Sequence, residues 1–160
     1  MTTYLKEDFL RDADLVLEDS LDADGVAAAI ETSAAGSVLG DPQVIDLGDG
    51  LAEGYMIVDV DAIAAVVDAL YIVTLQGSNV SPFATATTYD LAQVNIGAGE
   101  SLFNATAGND AGSAGSRLIV PFRNEQDGTV YRYVRVYQTL SGSSDTESIT
   151  DTIWLSIKRK

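Results

Sequence analysis

A chain of 160 residues and 16.9 kDa has room for one core; 24 acidic against 9 basic side chains leave a formal net charge of −15, with no His and no Cys. Those absences exclude disulfides, thiol nucleophiles, Cys/His zinc sites and every His-dependent triad. An apolar fraction of 46% beside 21% charged residues can fill a core, which excludes global disorder.

In chain order, an N-terminal arm of about residues 1–13 comes first, and Tyr4–Leu17, with Leu5, Phe9 and Leu15 among charges, has room for a short helix. A weak strand is expected at Asp14–Glu18, then a small-residue loop at Ser33–Ser37. Gln43–Leu47 reads as a strand that ends at a Gly48-Asp49-Gly50 turn. Tyr55–Asp61 alternates, with Met56, Val58 and Val60 on one side and Asp59 and Asp61 on the other. Ala62–Asp68 has the alanine content for two helical turns, with an extended loop or strand edge as the alternative. Leu70–Gln76 alternates again, placing Tyr71, Val73 and Leu75 against Thr74 and Gln76.

Weaker strands follow at Tyr89–Ile96 and Ser101–Asn104, and about 105–116 is a mobile surface loop of small residues. Strong strands are expected at Arg117–Arg123, Val130–Thr139 and Thr150–Lys158, the first two joined through an Asp127-Gly128 turn. The sum is one all-β domain over residues 1–160, a jelly roll or β-sandwich of eight or nine short antiparallel strands with at most one or two short helices. Val58, Val60, Val73, Leu75, Leu118, Val120, Ile153, Leu155 and Ile157 are its expected core.

The charge is unevenly spread. Residues 1–80 carry 16 acids against Lys6 and Arg11, whereas residues 81–160 carry 8 acids against 7 bases. Such a surface repels phosphate backbones and anionic lipid, so neither nucleic acid nor a membrane is an expected partner. The one basic run, Lys158-Arg159-Lys160, reads as a solvated tail. No secretory leader and no run of 18 apolar residues is visible, so manufacture in the cytoplasm without a cleaved signal is expected.

Motifs for chemistry are weak. Ser20-Leu21-Asp22-Ala23-Asp24-Gly25, followed by Glu31, has calcium-loop spacing, but a Ser hydroxyl stands where the first carboxylate belongs and the flanks are not amphipathic helices. No metal, no cofactor and no catalytic residue is therefore assigned. Asp59 with Asp61, or Asp90 with Glu100, are formal carboxylate pairs, yet carboxylates two apart on a strand equally describe a solvated face. The chain reads as a non-enzyme. Its Ser20–Glu31 loop is expected to leave the melting temperature unchanged when calcium is added; a calcium-dependent rise abolished by replacing Asp22 and Asp24 is the contrary result.

The aromatic residues offer a surface. In Tyr131–Tyr137 one face carries Tyr131, Tyr133, Arg135 and Tyr137 and the other Arg132, Val134 and Val136. In the last strand Ile153, Leu155 and Ile157 form the core side, which places Trp154 opposite. Packing within the sheet, a subunit interface and a sugar-stacking platform all use such residues. Tyr133, Arg135, Tyr137 and Trp154 are the candidate interface anchors.

The order of Val44-Ile45-Asp46-Leu47-Gly48, Gln76-Gly77-Ser78, Ser81-Pro82-Phe83-Ala84-Thr85, Arg117-Leu118-Ile119-Val120-Pro121, Tyr131-Arg132-Tyr133-Val134-Arg135-Val136 and Ile153-Trp154-Leu155-Ser156-Ile157 resembles the capsid cement (decoration) proteins of tailed bacteriophages, over roughly residues 14–158. The resemblance implies a jelly-roll subunit that assembles as a homotrimer on the outer capsid surface, with the major capsid protein as partner and the virion as its location. The insert around Ala105–Ser116 departs from that pattern. A carbohydrate-binding β-sandwich and a phage tail or baseplate structural protein are the competing readings.

Overall fold

Period-two alternation becomes strand wherever the sequence shows it most strongly. The computed structural model describes residues 15–20, 34–63, 70–81, 83, 88–96, 115–141 and 148–159. In chain order its strands are β1 (Val16–Glu18), β2 (Ala34–Ala35), β3 (Ser37–Val38), β4 (Asp41–Pro42), β5 (Ile45–Asp46), β6 (Ala52–Ile63), β7 (Leu70–Ser78), β8 (Tyr89–Ile96), β9 (Ser116–Arg123), β10 (Glu125–Gln126), β11 (Thr129–Val130), β12 (Tyr133–Ser141) and β13 (Ile149–Arg159).

They form two main sheets. One has the order β1-β13-β6-β9; the other runs β2-β12-β7-β8, with β5 also pairing β12. Pairing is antiparallel throughout and nested: first strand with last, β2 and β5 with β12, β6 with β9, and β7 with β8. Two sheets built from such concentric pairs, packed face to face, are a jelly roll. The all-β sandwich expected from the alternation is what forms.

The inward rows make one core. Val58, Val60, Val73, Leu75, Ile153 and Leu155 are buried as expected, joined by Leu17, Met56, Tyr71, Ile96, Val134, Val136 and Ile149. Burial of each such side chain is worth about 1.5–3 kcal/mol. Leu118, Val120 and Ile157 pack against this cluster but stay partly exposed. For Leu118 and Val120 the reason is position: β9 is the edge of its sheet and lacks a covering strand on one side. Gly54 lies between Ile157 and Phe122 in the register, where a Cβ would run into the Ser156 carbonyl oxygen, so the close approach of β13 requires glycine.

Several local expectations need correction. Of the readings for Ala62–Asp68, the strand edge holds in the described part: Ala62 and Ile63 are strand, because Thr150 and Ile149 on β13 pair with them and the ladder outweighs the helix preference of alanine. Val16–Glu18 is the strand that the weak pattern at Asp14–Glu18 predicts, so a helix over Tyr4–Leu17 does not reach Val16 and Leu17. Lys158 and Arg159 are no free tail, since their backbone continues β13 opposite Glu53 and Ala52. The expected strand Val130–Thr139 is broken: Thr129–Val130 folds back on Glu125–Gln126 about a two-residue turn, Asp127 and Gly128, with φ of 51° and 79°. The rest of 62–68, the arm of residues 1–13, the strand Ser101–Asn104 and all but the end of loop 105–116 lie outside the described residues.

The break is held by Asn124, which is fully buried. Its Oδ1 accepts from the Ala52 N–H at 2.7 Å, and its Nδ2 donates to the carbonyls of Gly50 (3.1 Å) and Tyr131 (2.9 Å). Its own backbone N–H donates to the Ala52 carbonyl and its carbonyl accepts from the Tyr131 N–H. Asn124→Ala strips partners from two buried backbone groups, the Ala52 N–H and the Tyr131 carbonyl, and from the part-buried Gly50 carbonyl, and is expected to destabilise the fold by on the order of 3 kcal/mol in urea unfolding. An unchanged midpoint would show that water replaces the side chain.

Candidate functional site

Among the described residues three places gather polar or aromatic side chains, and they differ in what they can reach. The first is inside. Glu18 and Asp151 are both buried, at 2% and 0% exposure. The Glu18 carboxylate accepts from the N–H groups of Ser20 (2.6 Å) and Ser37 (2.8 Å), which ties β1 to β3. Ser20 Oγ accepts from the Asp151 N–H at 2.8 Å, and Gln138 Nε2 donates across the sandwich to Asp151 Oδ2 at 2.7 Å. Asp151 Oδ1 has no partner among the described residues. Burial pushes the Asp151 carboxyl up to about 7, opposed by the Gln138 bond and helped by the charges of Glu18 and Asp61. Burial also raises Glu18, against the pull of its backbone N–H partners. These acids tie strands together and are shielded from solvent. Apart from Ser20, whose hydroxyl is already engaged, the calcium-like loop Ser20–Glu31 lies outside the described residues.

The second place is the outer face of the five-stranded sheet. Because Val134 and Val136 point inward, Tyr133, Arg135 and Tyr137 point outward, opposite Ser78, Gln76 and Thr74 on β7. All three are half-buried. The Arg135 Cζ lies 4.5 Å from the centre of the Phe83 ring and 5.6 Å from that of Tyr137, and its Nε donates to Gln76 Oε1 at 3.1 Å. Arg132 lies 5.2 Å from the Tyr133 ring and grips Asp46 through two hydrogen bonds of 2.8 and 2.7 Å. That carboxylate raises the Arg132 pKa further, so its charge is permanent. Tyr131 does not join the row; it precedes β12, is buried, and stacks on Tyr89 at 5.0 Å.

The third place is the outer face of the four-stranded sheet, and here the sequence reading is corrected. Trp154 does face away from the core, but it is only 2% exposed. Val16, its partner across the β1–β13 ladder, Ile57 on β6 and Val38 on β3 bury the indole. The Arg117 guanidinium lies 5.2 Å from the ring centre while binding Asp59 at 2.6 and 2.7 Å. Trp154 is therefore no surface anchor and no sugar platform, and it sits on the opposite sheet from Tyr133, Arg135 and Tyr137. What that face exposes instead is Tyr55 (38%) beside Pro121 and Ile119 (45%) along the β6–β9 edge, flanked by Arg123 between Glu53 and Glu125. The sequence reading missed this strip, although the outward position of Ile119 follows from the alternation of Leu118 and Val120.

Neither a known protein family nor a curated protein matches the chain. Among the described residues no helix is long and apolar enough to cross a membrane, and no three metal-ligating side chains cluster.

The buried carboxyl has a measurable signature. Below about pH 4 Asp151 is protonated folded or unfolded and contributes nothing. Between its ordinary 3.8 and about 7 the unfolded chain ionises it while the fold retains the proton, so stability falls as pH rises and the loss is complete above about 7. That loss is on the order of 4 kcal/mol. Asp151→Asn is expected to raise the melting temperature at pH 8 and to change it little at pH 4. An equal shift at both pH values would sink this account.

Proposed function

We propose that this chain is a non-enzymatic structural protein of the virion, a cement protein that assembles as a homotrimer on the outer surface of a tailed-phage capsid and contacts the major capsid protein. One observation carries the reading furthest: the jelly roll turns a row of Tyr133, Arg135 and Tyr137 outward from the middle of a sheet, where a subunit interface would use them. The resemblance in segment order over residues 14–158 supports the same role. The carboxylates with raised pKa are spent on internal hydrogen bonds, which suits a scaffold more than a catalyst.

A cyclic assembly uses a heterologous contact that closes on itself and so does not propagate into fibres. At −15 per copy the chain remains soluble until it meets the shell. Light scattering at micromolar concentration and moderate salt is expected to give three times the 16.9 kDa chain mass. Added to heads of its own phage that lack it, the protein is expected to decorate the shell in electron micrographs and to raise the temperature at which heads open. A monomer throughout, or label on tails alone, would overturn the assignment.

A further inference from the structure

Two buried acids meet where the first strand lies along the last. β1 stands at the end of its sheet and pairs with β13 through Val16 with Trp154 and Glu18 with Ile153, with an irregularity between the two pairs. By contrast β13 pairs with β6 along its whole length, Ile149–Arg159, and β12 pairs with β7 from Tyr133 to Ser141. Of the strands that close the core, β1 therefore separates with the least loss of backbone pairing.

β3 is tied to β1. The Glu18 carboxylate accepts from the Ser37 N–H at 2.8 Å, the Asp19 N–H donates to the Ser37 carbonyl at 3.1 Å, and the Asp19 carboxylate accepts from the Leu39 N–H at 3.2 Å. Val16 of β1 and Val38 of β3 pack on Trp154 at the outer face of the sheet. The two short strands together are its cover.

Behind this cover lies Asp151, fully buried, with Oδ2 bonded to Gln138. Among the described residues the titratable groups that bear on it are Glu18 from β1 and Asp61 from β6. β12 contributes the neutral amide of Gln138, and the Ser20 hydroxyl after β1 is engaged by the Asp151 N–H. Asp19 in turn bears on Glu18. All of these ionise to the same sign, so a proton on Asp151 lets the acids share one buried site. Once that proton leaves, the new charge needs water, and lifting β1 both admits water and carries Glu18 away.

We propose that β1, with β3 attached, is a pH-dependent cover over Trp154, held shut by protonated Asp151 and opened by its ionisation while the two sheets stay folded. This device is a property of the fold and stands whether or not copies assemble. Burial raises the Asp151 carboxyl to about 7 and raises Glu18 as well. In the open form Asp151 is hydrated and returns toward its ordinary 3.8, so the open form binds fewer protons and gains as pH rises. With full hydration the gain is about tenfold per pH unit between roughly 4 and 7, and constant above.

Amide-resolved hydrogen exchange on the full chain from pH 5 to pH 8, each rate normalised to the unfolded chain at that pH, reads the opening directly. Protection at Asp19, Ser20 and Ser37 is expected to fall at least about tenfold over that range, and to stay at least about tenfold below that at Val73 and Val136 throughout. Asp151→Asn keeps a carbonyl for Gln138 without the charge and is expected to remove most of the fall. If that variant does not fold, the wild-type profile decides alone. Protection at the three amides equal to that of the core at every pH would show one global opening and overturn the cover. Lower protection that does not change with pH, or a fall retained in folded Asp151→Asn, would overturn its control by Asp151.

Discussion

Everything in this molecule depends on the inward rows of four long strands meeting face to face. Met56, Val58 and Val60 of β6 and Ile153 and Leu155 of β13 lie against Tyr71, Val73 and Leu75 of β7 and Val134 and Val136 of β12. Once those rows are buried, the pleat forces the intervening residues outward, and both outer faces follow from the core. A one-residue slip in β12 would bury Arg135 and expose Val134.

The polar residues inside this core complicate it. Gln138 and Asp151 join the sheets through one hydrogen bond, and Ser20, Glu18 and Ser37 extend the network to β1 and β3. A fully buried carboxylate is a poor way to gain stability, because desolvation exceeds what a neutral amide returns. Its gain is in specificity: the bond aligns β12 with β13, and Ser20 fixes where the chain leaves β1. The exposed ion pairs, Arg117–Asp59 and Arg123 with Glu53 and Glu125, are each worth at most about 1 kcal/mol and serve more to neutralise the arginines than to hold the sheet.

The two outer faces differ as a result. On the four-stranded sheet, β1 and β3 cover Trp154, and the remaining apolar strip lies at the β6–β9 edge. Pro121 in that edge strand removes one backbone donor and so blunts strand-to-strand pairing with other chains. On the five-stranded sheet the outward row lies on β12, which is flanked on both sides by paired strands and so is carried on a rigid backbone.

Which residues alternate was legible in the sequence: β6 through Met56, Val58 and Val60, β7 through Tyr71, Val73 and Leu75, β13 through Ile153 and Leu155, and the turn at Asp127-Gly128. Period-two patterns and turn chemistry are local properties, so the all-β class and most of the core came with them. The outward direction of Tyr133, Arg135, Tyr137 and Trp154 was equally local. Whether an outward residue meets solvent was not, because that depends on strands distant in the chain. Val16 and Val38 close over Trp154 from more than a hundred residues away, while nothing in the described structure places an acid on Arg135. Asn124 and Asp151 read as ordinary polar residues until Ala52 and Gln138 are brought beside them. The sequence by itself determined the pleat and its two faces; only the tertiary structure decided which outward residues are covered, paired or left available, because covering and pairing are made by long-range contacts that no local pattern encodes.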